Sequence, residues 1–156
     1  MSNLVQLTNI LVEKSLTIAV AESCTGGALS SLLTSQSGSS AFFDRGFITY
    51  SNQAKMDMLG ISKGVLAQFG AVSEQVAHQM VMGAIERAKT DVSVSITGIA
   101  GPNGGSAEKP VGMVCFGFCI LGKNFTTTQK FTGDRSQVVD ASVDFVLTTL
   151  INELSS

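Results

Sequence analysis

The spacing of apolar and polar residues divides this chain into helices that alternate with strands. Apolar residues recur at helical spacing over about residues 3 to 14 and again, more regularly, from Ser73 to Ala88, and both patterns predict amphipathic helices. The run 16–20, Leu-Thr-Ile-Ala-Val, is short, apolar and β-branched, which is typical of a buried strand. Residues 91–97 alternate strictly between apolar and hydroxyl side chains. We therefore expect a strand with one buried face and a Ser/Thr face against something polar.

The remaining segments continue the alternation. They predict a helix from Ala28 to about Gln36, a strand over 41–50, short helices over 53–59 and 62–69, a hairpin of 111–120 and 125–131, and a last helix capped by Asp134. Gly46, inside strand 41–50, indicates a bulge or a close backbone contact. Together the elements favour an α/β fold: a single domain, residues 1–156, with three α/β/α layers around a mixed, mostly parallel sheet of about five strands.

Composition excludes several classes of function. The chain has 44% hydrophobic and 14% charged residues, a net charge of −2 and no run of lysine or arginine, so it offers no footprint for nucleic acid. No apolar run is long enough to span a bilayer, and the N-terminus lacks the pattern of a signal peptide. We therefore expect no membrane partner. The apolar composition is compatible with a homo-oligomer.

The three cysteines and the single histidine indicate neither a metal site nor a disulfide framework. Cys115 and Cys119 face the same side of a predicted strand, and free cysteines of this kind are usually core residues. We therefore expect no metal, and a location in the reducing cytoplasm.

The connection between the first strand and the helix that follows it holds the first candidate chemistry. Ser23 and Cys24 are adjacent nucleophiles. The glycine pair 26–27 lets other groups approach the backbone, and the start of a helix carries free N–H groups that bind an anion or stabilise an oxyanion. The alternative is an ordinary strand-to-helix turn with Thr25 as its N-cap.

A serine nucleophile needs a general base, and the sequence offers two candidates. His78 lies one residue off the core-facing side of its helix, and we expect little catalytic role for it. Lys55 follows a predicted strand end in segment 50–55, Tyr-Ser-Asn-Gln-Ala-Lys, and would act as a base if burial or a nearby cation kept it neutral. The alternative is a solvated helix lysine.

A glycine-rich loop over residues 98–112 is the third candidate. It does not match the established phosphate-binding fingerprints, but its glycines and Ser106 would form a nest of N–H groups around a phosphate, with charge from Lys109 or Arg135. The alternative is a long surface loop. Ligands of open α/β sheets bind at the carboxyl ends of the strands, so we expect this loop to converge with the two segments described above.

Several motifs occur together in one known family. They are Ala21-Glu22-Ser23-Cys24-Thr25-Gly26-Gly27, Tyr50-Ser51-Asn52-Gln53-Ala54-Lys55, Gly70-Ala71-Val72-Ser73, the stretch 98–105, Lys109-Pro110-Val111-Gly112 and Gly133-Asp134-Arg135. In this order along nearly the whole chain, they resemble the CinA C-terminal domain family, whose stand-alone members are nicotinamide-nucleotide amidohydrolases. The resemblance implies hydrolysis of the amide of nicotinamide mononucleotide (NMN) to nicotinate mononucleotide and ammonia, in pyridine nucleotide recycling, with no metal or cofactor.

The resemblance also implies roles for individual residues. Ser23 would be the nucleophile and Lys55 its base, with Tyr50 close by. The substrate pocket would contain Thr97, Gly98, Gly101, Gly104, Gly105, Ser106 and Arg135, and Lys109 stays a substrate-binding candidate for its charge. The N–H groups of Cys24, Thr25, Gly26 and Gly27 would supply oxyanion donors. Two alternatives stay open: a non-catalytic nucleotide-binding or regulatory module of the same fold, and a thiol hydrolase that uses Cys24.

Overall fold

A five-stranded sheet with helices on both faces organises residues 1–155, the part of the chain that this computed structural model describes. In chain order its elements are α1 (Asn3–Glu13), β1 (Ile18–Glu22), α2 (Ala28–Leu33), a 3₁₀ turn (Ser39–Ala41), β2 (Phe43–Ile48), α3 (Asn52–Leu59), α4 (Lys63–Phe69), α5 (Glu74–Ala88), β3 (Val92–Gly98), β4 (Met113–Ile120), β5 (Lys123–Lys130) and α6 (Arg135–Ser155). The predicted alternation of helices and strands is confirmed.

Several predicted boundaries are wrong by a few residues, and two of them have a clear local reason. Helix α2 stops at Leu33 rather than near residue 36 because the hydroxyls of Thr34 and Ser35 donate to carbonyls of the last helical turn and compete with the backbone. Strand β5 begins at Lys123 rather than 125, since the connecting turn consists of two residues only. Both Leu121 and Gly122 have positive φ, which matches the twist of a tight hairpin.

The strands lie in the order β2-β1-β3-β4-β5. Strand β1 pairs in parallel with both β2 and β3, whereas the β3–β4 and β4–β5 pairs are antiparallel. Four of the five strands therefore point the same way, and the predicted mixed, mostly parallel sheet is confirmed. In this register Glu22, the last residue of β1, lies between Ile48 and Ile96. The chain segments that leave β1, β2 and β3 thus start at one edge of the sheet.

Two layers of helices cover the sheet. Helices α1, α2 and α6 bury one apolar face, in which Leu11, Leu29 and Leu150 are among the core residues. Helices α3, α4 and α5 bury the opposite face around a smaller cluster that includes Leu66 and Met80. This arrangement is the predicted three-layer architecture. No helix within residues 1–155 is both long and apolar enough to cross a membrane.

The hydroxyl face of β3 packs against α5, which confirms the expectation of a polar partner. Ser93 Oγ donates to the carbonyl of Val81 at 3.2 Å, and Ser95 Oγ donates to the carbonyl of Ala77 at 2.6 Å. The side chains of both serines are fully buried. A helix carbonyl keeps a second lone pair after its own helical bond, so these hydroxyls are satisfied inside the core without a polar side-chain partner.

Gly46 makes a close backbone contact, which is one of the two roles predicted for it; the other was a bulge. A Cβ at this position would lie 2.3 Å from Ser30 Oγ, so only glycine lets α2 approach β2 here. The irregularity in the β1–β2 pairing lies elsewhere, at Asp44, where the register shifts between Phe43 and Arg45. Gly46 is therefore a contact position and not the bulge.

Two helical glycines give a matched test of packing. We expect Gly83→Ala to lower the free energy of unfolding by about 1–3 kcal/mol, because its Cβ would lie 2.2 Å from the carbonyl oxygen of Leu59. We expect Gly64→Ala, which meets nothing within 4 Å, to raise it by about 0.5–1 kcal/mol. Urea unfolding of both variants measures the difference, and equal effects would contradict the tight α3–α5 contact.

Candidate active site

The segments that leave the carboxyl ends of β1, β2 and β3 enclose one cleft, with a volume of about 260 Å³. It is lined by Ser23, Cys24, Tyr50, Asn52, Lys55, Ala71, Val72, Thr97, Gly98, Ile99, Ala100, Gly101, Asn103, Gly104 and Arg135. The convergence that we expected from the sequence is confirmed: the nucleophile turn, the segment 50–55 and the glycine loop meet here.

Ser23 and Lys55 form a buried pair at the floor of this cleft. Ser23 continues the line of β1, and its N–H donates to the carbonyl of Ile96. Lys55 lies in α3, and its Nζ is 3.0 Å from Ser23 Oγ. The side chain of Lys55 is only 1% exposed, so the alternative of a solvated helix lysine is wrong.

Within residues 1–155, Lys55 Nζ has hydrogen-bond acceptors but forms no salt bridge with a carboxylate. Nζ donates to the carbonyl oxygens of Thr49 at 3.0 Å and Tyr50 at 3.3 Å. Burial lowers the pKa of the Lys55 amine below its ordinary value of 10.5, because the charged form loses hydration. A neutral amine has two N–H groups for the two carbonyls, and its lone pair then faces the Ser23 hydroxyl.

The turn between β1 and α2 is built around the carboxylate of Glu22. Oε1 of Glu22 accepts from Thr25 Oγ1 at 2.6 Å and from the N–H groups of Gly27 and Leu29 at 3.2 and 3.0 Å. Oε2 accepts from both the N–H and the hydroxyl of Ser30, at 2.8 and 2.6 Å. Glu22 is fully buried. The anion that we expected at the start of α2 is thus a side chain of the protein itself.

This geometry corrects two expectations about the turn. Thr25 is not the N-cap of α2, since Gly27 occupies that position and Thr25 donates its hydroxyl to Glu22. The N–H groups of Gly26 and Gly27 are not free oxyanion donors, because they donate to the Ser23 carbonyl and to Glu22. Within residues 1–155 the N–H groups of Cys24 and Thr25 donate to no other residue, so the oxyanion proposal narrows to these two.

Arg135 bridges two sides of the cleft. It is the first residue of α6, and the preceding Asp134 caps this helix, as predicted, by accepting from the N–H of Gln137. The Arg135 guanidinium donates to the carbonyl of Gly101 at 2.8 Å and to the Tyr50 hydroxyl at 2.7 Å. Both acceptors are uncharged, and within residues 1–155 Arg135 forms no salt bridge. Its charge is therefore not neutralised by a carboxylate contact.

The second half of the glycine loop does not line the cleft. Lys109 Nζ donates to the carbonyl of Phe69 and lines a neighbouring cavity of about 390 Å³. Ser106 forms a tight turn with Lys109, in which its hydroxyl accepts from the Lys109 N–H at 3.0 Å, and Gly105 packs against the backbone of Val111. Thr97 does line the cleft, with its hydroxyl donated to the carbonyl of Ala71.

Three cleft residues, Asn52, Val72 and Asn103, lie in segments that the motifs include but had no individual role predicted for them. Asn52 directly follows Ser51, the N-cap of α3. This position at the start of a helix was the feature of the sequence that could have indicated it. His78 is exposed on α5 and is absent from the cleft lining. Among the described residues there is no cluster of three or more His, Cys, Asp or Glu side chains that would hold a metal ion.

The sequence model of the CinA C-terminal domain matches residues 2–154. The chain belongs to the CinA C-terminal domain family. A relative from Enterobacter agglomerans, named nicotinamide-nucleotide amidohydrolase PncC, is 51% identical over 150 residues, which cover 96% of this chain and 92% of the relative. A protein of the same name from Escherichia coli K12 is 48% identical over 146 residues, covering 93% and 88%.

Solved structures of the CinA superfamily share the fold. A protein of this superfamily from Klebsiella pneumoniae 700603 superposes with a TM-score of 0.94 at 35% identity and covers 98% of this chain and 96% of its own. The competence/damage inducible protein CihA from Agrobacterium tumefaciens gives a TM-score of 0.92 at 41% identity, covering 100% and 98%. The family resemblance inferred from the motifs is confirmed.

Cys24 is the second nucleophile candidate in this CinA-family cleft, and its environment keeps it protonated. Burial, with a smaller contribution from the charge of Glu22, raises the pKa of the Cys24 thiol from 9.0 to about 11. The thiolate is the reactive form of cysteine, so a thiol with this pKa is almost entirely unreactive at neutral pH. This observation argues against the thiol-hydrolase alternative.

Alkylation tests the state of the Cys24 thiol directly. At pH 8 we expect iodoacetamide to modify Cys24 about a hundredfold more slowly than a free thiol with the ordinary pKa of 9.0, because the thiolate fraction falls tenfold per unit of pKa. The rate is expected to rise about tenfold per pH unit between pH 7 and 9.5. Peptide mass spectrometry identifies the modified site, with Cys24→Ala as the control. Rapid, pH-independent modification near pH 7 would show a thiolate instead.

Proposed function

We propose that this protein hydrolyses the amide of NMN to nicotinate mononucleotide and ammonia, with Ser23 as nucleophile and Lys55 as general base. The observation that carries the proposal is the buried contact of 3.0 Å between Ser23 Oγ and Lys55 Nζ. The match of most of the chain to relatives named nicotinamide-nucleotide amidohydrolase supports the choice of substrate. The three free cysteines fit a reducing compartment, and we place the reaction in cytoplasmic pyridine nucleotide recycling.

The proposed reaction begins with a proton transfer. Neutral Lys55 accepts the hydroxyl proton of Ser23 as Ser23 Oγ attacks the amide carbon. The carbonyls of Thr49 and Tyr50, which accept from Nζ, stabilise the ammonium form that results. The negative charge on the amide oxygen is stabilised by the N–H groups of Cys24 and Thr25, and loss of one such donor typically costs about 3–4 kcal/mol of transition-state stabilisation.

Lys55 then returns its proton to the leaving nitrogen. The carbon–nitrogen bond breaks, ammonia departs, and the nicotinoyl group stays on Ser23 Oγ as an ester. Lys55, again neutral, accepts a proton from a water molecule that attacks this ester. The second tetrahedral intermediate releases Ser23 as its hydroxyl and leaves nicotinate mononucleotide. One base thus serves both halves of the reaction.

Arg135 is the residue that we propose for the substrate phosphate. It lines the cleft, and its guanidinium contacts only uncharged acceptors, so an anion would gain a charge-assisted contact there. The N–H groups of Gly101 and Gly104, which also line the cleft, add donors without side-chain obstruction. Lys109 lies in the neighbouring cavity and is not part of this proposal.

The competing proposal of a non-catalytic nucleotide-binding module has less support. Burial of a lysine amine against a serine hydroxyl lowers the pKa of the amine and opposes stability. A protein that only binds a nucleotide gains nothing from that arrangement. Release of ammonia from NMN by purified protein decides between the two.

One prediction of this proposal concerns the catalytic pair, Ser23 and Lys55. We expect wild-type protein to release ammonia from NMN, Ser23→Ala to lower kcat by about 10³-fold or more, and Lys55→Met to lower it by about 10²–10⁴-fold. Since the base must be unprotonated, kcat/KM rises with pH and levels off at the pKa of Lys55, which burial places below 10.5. A coupled ammonia assay across pH 6–10 measures each quantity.

Two control variants accompany this assay. His78→Gln changes an exposed residue outside the cleft and is expected to be silent, and Cys24→Ala keeps the backbone N–H and most of the turnover. If Ser23→Ala turned over normally while Cys24→Ala were inactive, the nucleophile assignment would be reversed. A Lys55→Met variant with normal kcat and an unchanged pH profile would require another base.

Another prediction of this proposal concerns recognition of the NMN phosphate. Energy from binding the remote phosphate helps to position the amide. We therefore expect kcat/KM to be highest for NMN, lower for nicotinamide riboside and almost zero for nicotinamide. Arg135→Met is expected to lower kcat/KM for NMN by about 10- to 100-fold while changing the value for the riboside little. Lys109→Met is the matched control and is expected to leave the preference for NMN over the riboside unchanged. Similar values for NMN and nicotinamide in the wild type would refute the nucleotide assignment.

A further inference from the structure

Glu22 is a buried charged residue next to Ser23 that the proposed reaction does not use. Its two carboxylate oxygens accept five hydrogen bonds from residues 25–30, and it is fully buried. Within residues 1–155 no lysine or arginine forms a salt bridge with it. Burial of a carboxylate without a counter-ion is unfavourable. The five donors compensate for this burial, and an apolar side chain of similar size would leave them unpaired. The carboxylate and the turn that supplies its donors therefore depend on each other.

The backbone of Glu22 is fixed as firmly as its side chain. Its carbonyl accepts from the N–H of Thr49 at 2.8 Å, and the next N–H, that of Ser23, donates to Ile96 at 3.0 Å. Residue 22 is thus held by both neighbouring strands, while its carboxylate holds Gly27 at 3.2 Å. Residues 23–26 span the short distance between these two fixed points. The carboxylate closes a loop that contains the nucleophile.

The same carboxylate also determines which N–H groups of the turn have acceptors. Gly27 donates to Glu22, and Gly26 donates to the Ser23 carbonyl, whereas Cys24 and Thr25 donate to no other residue within 1–155. Strand β2 accommodates this arrangement at Gly46, where a side chain would displace the Ser30 hydroxyl. The groups that hold the carboxylate are therefore distinct from the two proposed oxyanion donors.

We infer that Glu22 is a positioning residue for the nucleophile. Its carboxylate holds the 23–27 turn in the shape that keeps Ser23 Oγ 3.0 Å from Lys55 Nζ and leaves the Cys24 and Thr25 N–H groups for the oxyanion. This inference rests on the proposed function, because it assigns a purpose to the placement of Ser23. It predicts that weakening the carboxylate contacts slows the chemical step more than it weakens substrate binding.

Glu22→Gln is the central variant, since it keeps the size of the side chain but replaces one acceptor with an NH₂ donor. That NH₂ group must face either the donors around Thr25 or those of Ser30, so the turn has to shift. We expect kcat for NMN to fall about 10- to 100-fold, as for a misplacement of about 1 Å, with KM within about threefold of the wild type. A rise in KM with unchanged kcat, or normal kinetics, would overturn the inference.

A second set of variants perturbs the carboxylate without changing Glu22, in case Glu22→Gln does not fold. Thr25→Val removes one donor, and Thr25→Ser restores most of the turnover that Thr25→Val loses. Gly46→Ala displaces the Ser30 hydroxyl from outside the cleft and is expected to lower kcat as well. Ser93→Ala is the matched control, because it removes a buried hydroxyl bond at the far end of β3 and is expected to reduce stability while leaving kcat unchanged.

A substrate-independent measurement separates this inference from the proposed function. Phenylmethanesulfonyl fluoride modifies an activated serine when its Oγ displaces fluoride, and mass spectrometry reports the rate at Ser23. We expect Glu22→Gln to react at least about tenfold more slowly than the wild type, even if NMN proves not to be the substrate. Equal rates in folded Glu22→Gln and wild type, or no reaction at wild-type Ser23, would overturn the inference.

Discussion

The cleft depends on the burial of one amine. Lys55 belongs to a short helix, α3, and it reaches Ser23 only because this helix is pressed against the core. Leu59 provides the contact: its carbonyl lies so close to Gly83 of α5 that no side chain fits between them. The distance between Lys55 Nζ and Ser23 Oγ is therefore set by packing between α3 and α5, one helical turn along α3 from Lys55.

The strand order explains why these groups meet. Because β1 pairs in parallel with both β2 and β3, the three chain segments that leave these strands start at the same edge of the sheet. One segment carries Ser23, the next carries Lys55, and the third begins the glycine loop. The antiparallel strand β4 returns to this edge at Met113 and closes the base of the loop, where the N–H of Ile99 donates to the Met113 carbonyl at 2.9 Å. The topology brings together residues that are far apart in sequence.

Local patterns were sufficient to predict most of the fold. Helical periodicity and β-branched runs placed the six helices and five strands of the described residues with errors of a few positions at their ends. The family motifs indicated Ser23, Lys55 and Arg135, which the structure brings into one cleft. The failures concern the path of a loop and the partners of a buried side chain. Neither the path of the 105–109 segment, which carries Lys109 away from the cleft, nor the carboxylate at the start of α2 follows from local spacing.

The hydroxyl contacts between β3 and α5 have a consequence for how these two elements move. Two residues along a strand span about 6.6 Å, and four residues along a helix span about 6.0 Å. Ser93 and Ser95 therefore match Val81 and Ala77, one helical turn apart in the opposite direction. A shift of α5 by a single residue would break both bonds, whereas a shift by a full turn would be needed to form them again. The two bonds thus hold α5 at one position along the sheet. They also hold in place Ala71 and Val72, which lie just before this helix and line the cleft.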